Sequence, residues 1–282
     1  MTVATLSPVL KRAVEERRAV AGLVVLGWED ARSYVRAAEE ADIPVILQAG
    51  PACRRNTPVP VLGKMFRALA ECAAVPVVCH IDHALTLQEC VEGIDSGFTS
   101  VMIDGSKLPL AENIAVTRGV VDAARAAGVS VEGEVGVVGY ANGAPSQPTA
   151  PDDAGRFERE TGVDALAVSV GNVHLLSEKT SSIDLDALSA IRAQTNIPLV
   201  LHGGSGIPAA TRWTLARNYR VAKFNIGTEL RMAFGDALRY YLAHHPQSFD
   251  RIEIFSAIEP TLKQEATIVL KTLWGPPGQR VE

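Results

Sequence analysis

An α/β chain closed into a (β/α)8 barrel is the fold predicted by three features of this 282-residue sequence. Eight short apolar, β-rich runs recur along the chain, and such runs read as parallel strands buried on both faces. Amphipathic helical patterns separate them, and strands alternating with helices build a parallel sheet. A 47% hydrophobic content over this length fills one large core better than two small ones. Eight such units predict the TIM-barrel architecture. Residues 1–282 read as a single barrel domain with an N-terminal helix and a C-terminal helical extension.

Met1–Ala19 reads as a helix covering the barrel floor. The strands follow at Gly22–Leu26, Pro44–Gln48, Pro76–Asp82, Ser100–Ile103, Ser130–Gly133, Ala165–Val170, Pro198–His202 and Ala222–Ile226. Helical patterns occupy Ala31–Ala41, Val59–Ala74, Leu87–Ser96, Leu110–Ala127, Asp184–Ala193, Pro208–Asn218 and Glu229–Ala243. Gly128 closes the helix that follows Pro109, and Pro208 reads as a first-turn proline. Pro260–Trp274 reads as the last helix, ended by Gly275-Pro276-Pro277. Between the fifth and sixth strands, Gly139 to Pro151 is a long Gly/Pro/Asn/Ser-rich loop. It lies on the carboxyl-end rim, as a mobile lid or as a plain surface insertion.

The net charge of −5 and the lack of a basic cluster argue against a nucleic-acid partner. The Arg17-Arg18 and Arg54-Arg55 pairs read as solvated faces. No run reaches membrane-span length, and no signal peptide is read at the start. Cys53, Cys72, Cys79 and Cys90 form no CxxC pair and read as small buried apolar residues in a reducing compartment. A cytoplasmic location is expected.

Three histidines follow apolar runs: His83, His174 and His202. Carboxyl ends of barrel strands are where such folds place chemistry. Three imidazoles on one rim fit a zinc ion with an open coordination position, and the neighbouring Asp82 would supply a base. His80, His244 and His245 read as ordinary hydrogen-bonded residues. The stretch His202-Gly203-Gly204-Ser205-Gly206-Ile207-Pro208 joins a strand to a helix through glycines, which lets backbone N–H groups meet an anion. Asn225-Ile226-Gly227-Thr228 repeats the device one strand later, so a phosphorylated substrate is expected. Asp104 ends the fourth strand. Glu132 and Glu134 share one face of the fifth, toward the barrel interior. Such buried carboxylates need a metal or a structural partner, and Lys223 is the candidate partner for Glu132.

Taken together, these segments resemble the class II, zinc-dependent fructose-bisphosphate and tagatose-bisphosphate aldolases. The resemblance runs from Ala19 to about Arg231. It rests on Pro44–Gln48, His80-Ile81-Asp82-His83, Met102–Ser106, Val131–Gly136, Thr161–Val168, the His202–Pro208 loop and Lys223–Leu230. It implies zinc ligation by His83, His174 and His202, with Asp82 moving a proton at the aldol carbon. Asp104 and Glu134 are implied at a second or alternative cation position, divalent or monovalent. Leu175, Gly203, Gly204, Ser205, Asn225, Ile226, Gly227 and Thr228 are implied around the phosphate of dihydroxyacetone phosphate. Asn225 is also implied as a donor to the developing oxyanion. The implied reaction is cleavage and condensation of a ketose (bis)phosphate, fructose 1,6-bisphosphate-like, by a homodimer or homotetramer to which the final helix and Trp274 contribute.

The chain departs from the family pattern at several points. Leu175 stands where a glycine usually follows the second zinc histidine. Gly139-Tyr140-Ala141-Asn142 carries no loop acid. Val24 replaces an asparagine, Gly50 a serine, and Gly227 an aspartate seen in many fructose-type members. These changes fall on the aldehyde half of the site. A related aldolase with another aldehyde or donor, or a catalytically silent sugar-phosphate-binding homologue, are therefore the alternatives.

Overall fold

The computed structural model describes residues 2–275. Among the described residues there are nine strands: β1 (Val3–Ala4), β2 (Val20–Val24), β3 (Val45–Ala49), β4 (Val77–Ala84), β5 (Ser100–Ile103), β6 (Ser130–Val135), β7 (Ala165–Val168), β8 (Leu199–Leu201) and β9 (Val221–Ile226). Strands β2 to β9 pair in parallel, each with the next, and β9 pairs back to β2, which closes an eight-stranded barrel. All eight expected strands are therefore present, with ends moved by a residue or two. Their side chains are buried almost throughout, as a sheet covered on both faces requires.

The helices are α1 (Leu6–Glu15), α2 (Trp28–Ala41), α3 (Pro51–Asn56), α4 (Val59–Cys72), α5 (Leu87–Asp95), α6 (Leu110–Ala126), α7 (Pro151–Thr161), α8 (Leu185–Gln194), α9 (Ala209–Tyr219), α10 (Thr228–His244) and α11 (Arg251–Trp274). Side-chain caps fix several starts. Thr86 Oγ1 accepts from the Glu89 N–H, and Asp184 Oδ1 accepts from the Ala187 N–H. The floor is closed by α1 and by β1, which pairs with the first residues of β4. Ser7 N–H donates to Ser130 Oγ at the start of β6. Met1, Pro276 and Pro277 lie outside the described residues.

Several expectations need correction. Helix α11 begins at Arg251, capped by Asp250, and carries Pro260 inside it. Proline inside a helix removes one backbone hydrogen bond, and here the helix continues through it from the Asp250 cap upstream. Cys72 is exposed on α4, whereas Cys53, Cys79 and Cys90 are buried; all four are free thiols. Trp274 is buried, with the Arg12 and Arg18 guanidinium groups over its ring, so it offers no surface to a partner. Arg54 is not solvated: its side chain is 9% exposed and tucked under the rim. Among the described residues, no helix is long and apolar enough to cross a membrane.

The barrel interior is polar where it approaches the rim. Lys223 Nζ lies 2.7 Å from Glu132 Oε2, and His202 Nε2 lies 3.1 Å from Glu132 Oε1. The predicted Glu132–Lys223 pair is thus present. His80, wholly buried, hydrogen-bonds Ser100 Oγ through Nδ1 at 2.9 Å. Gln48 fills the space beside Gly22, where a Cβ would lie 1.5 Å from its Oε1.

Candidate active site

The end of β4 is irregular, and this irregularity builds the site. In a regular strand Asp82 and His83 would point to opposite faces. Here Ile81 pairs with Val101 and Ala84 with Ile103, so β4 carries one residue more than β5 across the interval. His83 takes up the extra length in the left-handed region, at φ 51°. A bulge of this kind re-aims side chains. As a result both Asp82 and His83 face one cavity of about 350 Å³ at the carboxyl-end mouth.

His174 and His202 reach the same place from the segments after β7 and β8. The ring centroids of His83 lie 5.3 Å from those of His174 and 4.6 Å from those of His202. Each of the three offers a ring nitrogen within 4.8 Å of the others. Two rings are oriented by carboxylates. His83 Nδ1 is 2.9 Å from Asp104 Oδ2, and His202 Nε2 contacts Glu132. Ser106 in turn donates its N–H and hydroxyl to Asp104 Oδ1. The remaining nitrogens, His83 Nε2 and His202 Nδ1, are buried without hydrogen-bond partners among the described residues, as is Glu134 Oε2. Buried polar atoms left this way are costly unless something binds them. Neutral imidazoles held by carboxylates are the donor set a catalytic zinc takes, so the residues fit the ion. Asp104 and Glu134 also form, with His83, a second cluster able to hold a cation.

The electrostatics leave two of the three rings neutral and keep a proton on the third, His83, until a cation displaces it. Burial, reinforced by repulsion from His83, lowers His174 to about 4 and holds His202 well below its ordinary value. Both rings are therefore neutral at neutral pH. Burial also works against a proton on His83, but Asp82, the Asp104 hydrogen bond and Glu134 outweigh it and raise His83 to about 10. Burial and then Asp104 push Glu134 up to about 8. The Asp82 carboxyl is kept below its ordinary range by His83 and Lys223, against the opposing effect of burial. Asn225 Nδ2 donates to Asp82 Oδ1 at 3.1 Å, so it holds that carboxylate in place.

The glycine turn stands against His174. Gly203 has φ 63°, and a Cβ there would lie 2.1 Å from the Val173 carbonyl oxygen, so only glycine fits. Gly204–Gly206 forms a 3-10 turn. Ser205 Oγ accepts from the N–H groups of Gly227 and Glu229, which ties that turn to the start of α10. Ser205, Gly227 and Thr228 line the cavity beside a 17-residue helix whose N-terminal dipole favours an anion. Leu175 also lines it, half exposed, in the left-handed region at φ 56°. The left-handed backbone explains why glycine suits this position.

The loop after β6 folds back on itself and joins the histidines. Val137 bridges Gln147, the His174 N–H donates to Gly139 O, and the Ala141 N–H donates to His174 O. The Tyr140 ring stacks on His174 with centroids 4.9 Å apart.

With this geometry established, comparison with known proteins is decisive. The family model described as fructose-bisphosphate aldolase class-II matches residues 4–274. The chain belongs to the class II fructose-bisphosphate aldolase family. As a member it is a lyase of the aldolase type. It is 38% identical over 255 residues to a 6-phospho-5-dehydro-2-deoxy-D-gluconate aldolase of Shouchella clausii, covering 87% of this chain and 85% of that one. It is 34% identical over 278 residues to a fructose-bisphosphate aldolase of Geobacillus stearothermophilus, covering 96% of each. Among solved structures, the YdjI aldolase of Escherichia coli K12 superposes with a TM-score of 0.84 at 30% identity, covering 98% of both chains.

Of the residues singled out from the sequence, Asp82, His83, His174, Leu175, Gly203, Ser205, Asn225, Gly227 and Thr228 line the cavity of this class II aldolase. His202, Asp104 and Glu134 stand behind that wall. Gly204 and Ile226 are buried against each other, since a Cβ on Gly204 would lie 2.9 Å from Ile226 Cδ1. The sequence reading missed Tyr140's stack, Arg55 and Arg231 in the cavity wall, and Arg54 beneath it. No spacing signal distinguishes these arginines from solvated ones.

Proposed function

We propose that this chain catalyses reversible aldol cleavage of a ketose phosphate to dihydroxyacetone phosphate and an aldehyde, with zinc held by His83, His174 and His202. The observation that carries this reading is the convergence of three imidazole nitrogens beside Asp82, in a cavity walled by a glycine turn and a helix N-terminus. When bound, zinc supplies Lewis-acid polarisation of the substrate carbonyl. The Gly203–Ser205 turn and the start of α10 hold the phosphate of the three-carbon fragment. Asp82, fixed by Asn225, takes the proton from the C4 hydroxyl in cleavage and returns it in condensation. Glu132 and Asp104 keep His202 and His83 in the tautomers that leave His202 Nδ1 and His83 Nε2 free. No lysine adduct is involved.

Chelation should abolish turnover, and Zn²⁺ or Co²⁺ should restore it. Asp82→Ala should lose turnover while still binding metal. Borohydride plus substrate should trap no covalent adduct, and a trapped adduct overturns the mechanism. A preserved rate in Asp82→Ala removes the role assigned to that carboxylate. A wild type without turnover on any ketose phosphate favours the silent sugar-phosphate-binding homologue.

A second reading changes the aldehyde or the donor. Leu175, Gly50 and Gly227 in the cavity wall favour it, as does the gluconate-type name of one relative. Screening ketose phosphates decides: strong preference for fructose 1,6-bisphosphate dismisses it. The Asp104–Glu134–His83 cluster is read as the place of a second divalent or monovalent cation. A homodimer or homotetramer is part of the proposal, supported by exposed Tyr240, Phe249 and Ile252 on and between α10 and α11. A cytoplasmic location is supported by the four free thiols.

A further inference from the structure

We propose that Arg54 is the positioning residue that keeps Asp82 and His83 aimed at the same point; this rests on the roles just given to those two residues. The bulge in β4 has a cost. Its pairing with β3 ends at Ile81, and its pairing with β5 skips from Ile81 to Ala84. Asp82 and His83 therefore have no partner in either ladder, and their carbonyl oxygens need donors from elsewhere.

Arg54 supplies them. Its Nη1 donates to Ala49 O at 2.6 Å and to Asp82 O at 2.5 Å, and its Nη2 donates to His83 O at 3.0 Å. The Glu89 carboxylate, 3.5 Å from Nη2, balances the charge from the first turn of α5. One guanidinium thus joins the end of β3, both residues of the bulge and the start of α5. The plane of an arginine fork can span three carbonyls; a lysine ammonium is a single point with no fixed fork. His83, one of the two bulge residues it holds, is in a left-handed conformation that a non-glycine side chain adopts only when its surroundings enforce it. Asp82 and His83 are adjacent in sequence, so any relaxation of the bulge toward a regular strand would turn one of them away from the cavity. Arg54 touches neither substrate nor metal in this arrangement. It acts through the backbone.

The test uses the full chain with Arg54→Ala and Arg54→Lys. Metal is stripped by chelation, Co²⁺ is titrated by visible absorption, and kcat, KM and melting temperature are measured on each protein. For Arg54→Ala the expected result is a Co²⁺ affinity lower by about tenfold or more with an altered absorption band, as loss of ligand support produces. The same variant should lose about 100-fold in kcat with KM changed by less than about threefold, the mark of misplaced reacting groups. Added guanidinium should restore part of the rate, and sodium at equal ionic strength should not. Arg54→Lys should move in the same direction by less. If Arg54→Ala does not fold, Arg54→Lys decides on the same criteria. A lower melting temperature with unchanged Co²⁺ affinity, absorption band and kcat overturns the proposal and leaves Arg54 a stabilising residue only. A wild type that takes up no Co²⁺ overturns the metal reading and this inference with it. Active wild type beside indifferent variants overturns the inference alone.

Discussion

Replacing Lys223 with methionine should destabilise the barrel out of proportion to the volume changed. Lys223 and Glu132 are both fully buried, with Nζ and Oε2 2.7 Å apart. At an effective dielectric of about 20, two unit charges at that separation attract by about 6 kcal/mol. Desolvation offsets much of this, but it offsets it for the pair. Removing one partner leaves the other charge buried alone, which costs about 3–5 kcal/mol. Glu132 would retain only the His202 hydrogen bond and the more distant His80 ring at 3.8 Å. For a domain of this size the loss corresponds to a melting shift of about 5–8 °C. Urea denaturation should show a lower midpoint with an unchanged slope. Glu132→Gln alone should cost a comparable amount, because it strands the ammonium. The double variant should cost much less than the sum, since neither charge remains. Additive single costs, or a Lys223→Met loss below about 1 kcal/mol, would refute the reasoning that this pair is held as a unit.

Four further outcomes are expected. In the metal-free protein, His83 binds its proton up to about 10 against an ordinary value of 6.5. Because the folded value is the higher, its stabilisation is complete below pH 6.5 and is lost as pH rises through about 10; denaturation of chelated protein across that window should show the decline. Zinc must displace the same proton, so metal uptake at neutral pH should release acid, read with an indicator dye. Gly203→Ala places a Cβ 2.1 Å from Val173 O at φ 63° and should cost about 2 kcal/mol or more while raising the KM for any phosphorylated substrate. Leu175→Gly relieves a left-handed leucine but adds unfolded-state freedom, so stability should move by less than about 1 kcal/mol, and a lower KM would show that the leucine crowds the phosphate.

The eight strands were legible because a strand covered on both faces has to be apolar throughout, and such runs stand out. Helix α7 was missed because it opens at Pro151, where a proline-rich loop ends, and buries little beyond Ala154, Gly155, Phe157 and Thr161. Helix α3 is six residues long and too short to show a period. The histidines were legible because each follows a strand, and chain position alone puts such residues on one rim. Their orientation was not, because it depends on an extra residue in β4 that pattern reading counts as ordinary strand. Arg54 and Arg55 illustrate the limit. Neighbours on a helical turn point about 100° apart. Sequence shows two adjacent charges; only the phase of α3 sends one beneath the rim and the other to its surface.

Gly227 and Val24 sit on neighbouring elements, and the contact between them has a consequence for redesign. A methyl at 227 would meet the valine's Cγ2 at 3.0 Å and Cβ at 3.2 Å. The two departures from the family pattern therefore occupy a single volume. An engineer who wants a side chain at 227 has to trim position 24 beforehand, and the reverse order passes through a crowded intermediate. Changes of sugar preference in this barrel would accordingly be acquired as a couple, across a seam joining the first barrel strand to the last.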